Sequence, residues 1–185
     1  TLTMNMSYYG ATLDQGTVGA ALRQNPDDKN VGPAELAAYA RSQGFQAEVR
    51  ANGTDEVLRQ LLNAGIPVLI ETWLDPADAG GLGHYRLLVG YDDADGSWIA
   101  YDSYVGENLV NPDGPYEGIR LGYAETASLW KVFNRTFVLI YESDDRAEVE
   151  SILGPGTASD MMWAEAIQRA QSEIDERPDD AYAWF

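Results

Sequence analysis

His84 is the single histidine of the chain, and it opens an apolar run, Gly83-His84-Tyr85-Arg86-Leu87-Leu88-Val89-Gly90-Tyr91. Asp102 closes the next such run, Ser97-Trp98-Ile99-Ala100-Tyr101-Asp102. An imidazole acts as a general base when one neighbour yields a proton to it and another fixes its tautomer. A carboxylate such as Asp102 suits the second task. The first requires a nucleophile, and none of the 185 residues is a cysteine. Disulfides and thiolate metal sites are excluded within these residues for the same reason. No cofactor or metal is called for.

The elements that carry the pair decide whether it can meet. The two runs read as the strands of a hairpin around Asp92-Asp93-Ala94-Asp95. If the loop is Ala94–Gly96, Asp102 lies opposite Leu88, on the face of His84 but roughly 13 Å from it at the rise of a strand. If the loop is Tyr91–Asp95, Asp102 lies opposite His84 itself. Only that register, or a bulge near Gly90, brings the two side chains into contact. Taken alone, the pair also fits a packed histidine at a strand start and an aspartate serving a turn.

Composition narrows the classes of partner. The net charge is -18 and the only lysines are Lys29 and Lys131. Such a surface repels nucleic-acid phosphates and anionic lipid, so neither is expected as a partner. No apolar stretch approaches the ~18 residues of a membrane helix. Hydrophobic residues make up 45% of the chain, enough for one packed domain with a short appendage. Residues 1–140 carry 18 acids and 9 bases, whereas residues 141–185 carry 12 acids and 3 bases. That shift suggests two units, 1–143 and 144–185.

Leu2, Met6 and Tyr9 recur at helical spacing, and Gly10 stops them. Helices are expected over Gln15–Leu22, Pro33–Ser42 and Asp55–Ala64. Pro33 suits the first turn of its helix, Thr54 caps the next, and Gly44 and Gly65 close them. Strands are expected over Phe45–Asn52, Ile66–Trp73, His84–Tyr91, Ser97–Asp102 and Thr136–Tyr141. A helix is expected over Ala124–Phe133. Residues 74–83 and 103–122 read as loops, and a loop as long as the second is more often functional than accidental. Helices followed by mostly antiparallel strands make an α+β pattern.

The pair has company. His84, then Leu87-Leu88, Val89-Gly90-Tyr91, Ile99 and Asp102-Ser103 resemble the His/Asn half of papain-like cysteine peptidases. Aspartate in place of asparagine is similar to the double-glycine (bacteriocin-processing) peptidase-like branch. Asn25-Pro26-Asp27-Asp28-Lys29-Asn30, Ala64-Gly65-Ile66-Pro67-Val68 and Asn134-Arg135-Thr136-Phe137 resemble its connecting elements. The likeness spans about residues 1–141.

The resemblance implies a papain-like fold, helices packed on an antiparallel sheet, and hydrolysis of a peptide or amide bond by a Cys-His-Asp mechanism. His84 would be the general base and Asp102 its orienter. In that family the nucleophile lies within Cys-Gly-Pro-Ala at the start of the first helix, where the helix end and the imidazolium favour a thiolate. A glutamine just upstream serves the oxyanion hole. Thr1-Leu2-Thr3-Met4-Asn5-Met6-Ser7 resembles the helical stretch immediately C-terminal to that motif. The chain is therefore expected to start just after it, without the Cys and the Gln.

Thr1 would be an N-terminal nucleophile only if the native chain began there, and the helical spacing after it argues against that. Ser7 and Ser103 read as structural. The implied partner is a peptide or protein substrate. The alternative is a catalytically inactive module that binds peptides or proteins. The acidic, lysine-poor composition points to an extracytoplasmic setting.

Beyond Tyr141 the pattern is helical only, with Asp145–Leu153 and Ser159–Glu176 split by Gly154-Pro155-Gly156. Ala181-Tyr182-Ala183-Trp184 after Pro178-Asp179-Asp180 resembles a junction between tetratricopeptide repeats, and Leu153-Gly154 fall where such a repeat has Leu-Gly. Glu173 departs from the pattern, which has a small residue there. A helical hairpin is the plain alternative. The repeat reading implies a truncated helical extension able to take a protein partner. The acids of 144–150 and 173–180 read as solvated helix faces.

Overall fold

The computed structural model describes residues 1–23, 27, 30–74, 81–104, 113–154 and 159–180. The chain runs α1 (Leu2–Tyr8), α2 (Gln15–Leu22), α3 (Pro33–Ser42), β1 (Gln46–Arg50), α4 (Asp55–Asn63), β2 (Val68–Leu74), β3 (Leu82–Asp92) and β4 (Ser97–Asp102). It continues with β5 (Ile119–Gly122), α5 (Tyr123–Lys131), β6 (Phe137–Tyr141), a short 3-10 turn (Ser143–Asp145), α6 (Arg146–Leu153) and α7 (Ser159–Glu176).

Among the described residues, six strands form one antiparallel sheet in the order β1-β6-β2-β3-β4-β5. Alternation along the strands sends side chains to two cores. Ile70, Leu88, Ala100 and Leu139 pack with Leu58 and Leu61 of α4 and Trp130 of α5. Leu69, Leu87, Val138 and Ile140 pack on the other face with Leu2 and Met6 of α1, Val18 of α2 and Leu36 of α3. A strand covered on both faces has no solvated side, and β6 is accordingly apolar at every position and wholly buried. This is an α+β fold of helices on an antiparallel sheet.

Local chemistry sets the helix ends. Asp14 accepts from the Thr17 N–H and Thr54 from the Val57 N–H, each taking up a free amide of a first turn. The Glu35 carboxylate reaches back to the Gly32 N–H at 2.6 Å, ahead of Pro33.

One departure from expectation is the 103–122 stretch, which is not all loop: Ile119–Gly122 forms β5, an edge strand paired to β4. Its four residues, Ile-Arg-Leu-Gly, are too few to show alternation in the sequence. Helix α6 falls in the stretch that composition sets apart as the 144–185 unit. Val149 of α6 is fully buried in the same core as Leu58 and Trp98.

Helix α7 lies against two corners of the chain. Asn52, Asn134 and Arg135 all have positive φ, and the Asn52 and Gly53 amides donate to the Asn134 and Arg135 carbonyls. Arg169 of α7 donates to the Asn52 side chain and the Gly53 carbonyl. Glu173 meets Lys131, Arg135 and Arg169, and Lys131 also meets Asp180. Glu173, an oddity in a repeat pattern, is here the hub of an ion-pair network. The Ala181-Tyr182-Ala183-Trp184 motif lies outside the described residues, as does most of the Asn25–Asn30 connection.

Candidate active site

The sheet brings the two residues singled out in the sequence into contact. His84 Nε2 lies 2.7 Å from Asp102 Oδ1. Neither simple register of the hairpin achieves this. Asp92 pairs with Ser97 and Gly90 with Ile99, but beyond a bulge between Leu88 and Gly90 the pairing becomes Leu88 with Ala100 and Arg86 with Asp102. Asp102 therefore faces Arg86 directly and reaches His84 on the diagonal, a distance long side chains span.

The bulge decides the outcome. Carried on unbroken from the turn, the Asp92–Ser97 register would set Asp102 opposite Leu87. Leu87 points into the α1 core, away from His84. A one-residue slip moves a whole strand's side chains to the other face, and the bulge supplies that slip between the turn and the site.

Asp102 is enclosed, with no exposed side-chain surface. Its Oδ1 also accepts from the Tyr104 N–H at 2.7 Å, and its Oδ2 accepts from Arg86 Nε at 3.0 Å. Burial alone would push its carboxyl up. The hydrogen bond with His84, the Tyr104 N–H and the charges of His84 and Arg86 outweigh burial and hold the carboxyl at about 2. The carboxylate is thus an anion throughout the neutral range. Facing that acceptor, Nε2 carries the proton of the neutral imidazole, and Nδ1 is left as the basic atom.

Arg86 continues the network, donating through a second guanidinium nitrogen to Thr72 Oγ1. Thr72 in turn donates to the His84 carbonyl at 3.2 Å, directly across the β2–β3 ladder. The Tyr104 ring stands edge-on to the imidazole, with centroids 6.1 Å apart. Gly83, just before His84, fits closely. A Cβ there would lie 3.0 Å from Glu71 Oε1 and 3.2 Å from the Phe133 ring.

The start of α1 lies beside the same strand ends. Thr1 Oγ1 donates to the Tyr85 carbonyl at 2.9 Å and sits 3.1 Å from Ser103 Oγ. Ser7 is on the exposed side of α1, bonded to the Met4 carbonyl. Sequence reasoning missed Arg86, Thr72 and Tyr104. One signal was present: Arg86 stands two residues from His84, hence on its face, as the one charge in an apolar run.

Helices on both sides of an antiparallel sheet make a papain-like α+β fold, and here adjacent strands bring His84 and Asp102 together. Residues 1–124 match the model of the Peptidase_C39 like family, and the chain belongs to that family. A protein assigned as a C39-like peptidase from Bacillus anthracis aligns with a TM-score of 0.54 at 17% identity, over 76% of this chain and 86% of that one. The peptidase domain of Streptococcus ComA, a bifunctional ABC transporter involved in quorum sensing, aligns with a TM-score of 0.55 at 15% identity, over 77% of this chain and 88% of that one. At these identities the likeness is one of fold. No curated protein matches. Among the described residues, no helix is long and apolar enough to cross a membrane.

Proposed function

We propose that this domain is built to hydrolyse a peptide or amide bond through a Cys-His-Asp mechanism. In it His84 is the general base and Asp102 the residue that orients it. The 2.7 Å contact between His84 Nε2 and Asp102 Oδ1 carries the reading. It holds the imidazole by one nitrogen and leaves Nδ1 to take the proton of a thiol. A thiol and a base in contact form a thiolate–imidazolium pair, which attacks the carbonyl carbon. The imidazolium then returns the proton to the leaving amine, leaving a thioester; water, giving its proton to the imidazole, attacks that thioester, releases the acid and frees the thiol. The substrate class is a peptide or protein.

The thiol is not among the 185 residues. Family resemblance sets it on the segment leading into α1. Support comes from Thr1, whose hydroxyl bonds to the backbone of Tyr85, the residue after His84.

Adding Cys-Gly-Pro-Ala ahead of Thr1 and following alkylation by iodoacetamide against pH tests the proposal. The added thiol is expected to react as a thiolate well below the ordinary cysteine range of about 8.5, and His84→Ala should return it to that range. A thiol that titrates ordinarily with His84 in place would overturn the enzyme reading. The inactive, peptide-binding module would then stand in its place, as the absence of cysteine already allows.

A further inference from the structure

We propose that Arg86 is a positioning residue of the site: it holds Asp102 from behind, so that the carboxylate presents Oδ1 to His84 and cannot turn away. This deepens the proposed function and rests on its reading of His84 as the base.

A carboxylate gripped through one oxygen can still rotate about its Cβ–Cγ bond. Asp102 is gripped through both. Oδ1 takes His84 Nε2 and the Tyr104 N–H, while Oδ2 takes Arg86 Nε. Arg86 is itself fixed at a second point, Thr72 Oγ1, whose own proton goes to the His84 carbonyl. The bonds close a circuit through Asp102, Arg86, Thr72 and the backbone of His84, returning through the imidazole to Asp102. Both ends of the histidine, ring and carbonyl, are therefore held by the same three residues on β2, β3 and β4.

Only arginine fits this place. The planar guanidinium offers several N–H groups in a fixed fork, so one side chain can serve two acceptors in different directions. A lysine could neutralise Asp102 but not also define the plane of its carboxylate. Arg86 neutralises the carboxylate before the imidazole takes up a proton, so the buried patch never holds an unbalanced negative charge. Burial supports the assignment: the Arg86 side chain is 9% exposed and lies directly opposite Asp102 in the ladder. An arginine kept only for solubility would point to water.

The single histidine makes the test direct, since every imidazole signal belongs to His84. In 15N-labelled protein near neutral pH, Nε2 is expected to carry the proton, with a slowly exchanging low-field resonance. Arg86→Gln should abolish that resonance and give a mixture of tautomers. Arg86→Lys should keep the tautomer but exchange about tenfold faster, as for the loss of one hydrogen bond. A purely structural role would lower the urea midpoint and leave the imidazole signals unchanged. Unchanged signals in a folded Arg86→Gln protein would overturn the proposal. If that variant does not fold, Thr72→Val cuts the same circuit without exposing a charge, and unaltered exchange there would overturn it equally. These spectra need no thiol. An imidazole that responds to Arg86 beside an ordinary added thiol would sink the enzyme reading alone, and the reverse result would sink the Arg86 assignment alone.

Discussion

Two of the charged networks among the described residues are built differently. In the first, His84, Arg86, Thr72 and Asp102 share one face of three adjacent strands, and the His84, Arg86 and Asp102 side chains are 12%, 9% and 0% exposed. Their spacing is imposed by a hydrogen-bonded ladder. In the second, Glu173 and Arg169 of α7 and the neighbouring Asp180 meet Lys131, Arg135 and the Asn52–Gly53 corner. Those groups join separate elements, and the Arg169 side chain is 35% exposed. Ion pairing in the first network fixes the orientation of a ring. In the second it fastens a helix. The contrast shows that similar chemistry gives precision or attachment according to the stiffness of the backbone beneath it and the water left around it.

The largest effect should come from breaking the first network. Asp102→Ala leaves the Arg86 charge buried and unpaired, and urea denaturation should show a loss of about 3–5 kcal/mol. Asp102→Asn should cost less, because the amide keeps one acceptor oxygen.

A smaller effect comes from acid. The Asp102 carboxyl lies below its ordinary value in the folded protein. Its contribution to stability is therefore complete above the unfolded value near 4 and is lost as pH falls through about 2. Across that window the stability gap between wild type and Asp102→Asn should close by about 2 kcal/mol. A gap that stays constant with pH would remove the charged network from the stability of the domain. Glu173 is also held below the ordinary carboxylate range, against burial, by its hydrogen bonds with Lys131 and Arg135 and by their charges. It adds to the same acid limb with the same sign.

The smallest effect is expected at α7. Glu173→Gln should cost about 1–2 kcal/mol and raise amide exchange in α7, leaving β3 and β4 protected. Glu150→Gln, which cuts the exposed pair with Arg146, is a control expected to cost less than about 0.5 kcal/mol. Equal losses from Glu173→Gln and Glu150→Gln would show that the α7 network is no more than solvated surface charge.

The legible parts of the sequence were those with a local cause. Gln15–Leu22, Pro33–Ser42 and Ser97–Asp102 are bounded as read, because Asp14, Pro33 and the turn acids act on their immediate neighbours. Asp92 shows how local that chemistry is, accepting from the Ala94 and Asp95 amides within the turn. The His84–Asp102 contact was legible only as one of three possibilities, since alternation specifies the face and not the register. Arg86 and Thr72 were harder to find. Thr72 has its role only once β2 lies beside β3, and Arg86 only once the bulge sets it opposite Asp102; no sequence spacing reports either. β5 was hidden for the same reason: its partner, β4, gives it shape that its four residues do not encode.

The bulge between Leu88 and Gly90 has a further consequence, one of counting. The hairpin behaves as a code in which odd and even matter more than length. Adding a second extra residue to β3 there, or removing one from β4 between Ile99 and Asp102, would change the parity and turn the carboxylate away from the ring. Two-residue changes on one strand would restore the face but displace the contact along it. The tip, Asp93–Gly96, lies outside that count, so its length does not alter the parity as long as Asp92 and Ser97 stay opposed. Drift in this hairpin should therefore collect at its tip and be purged from its arms.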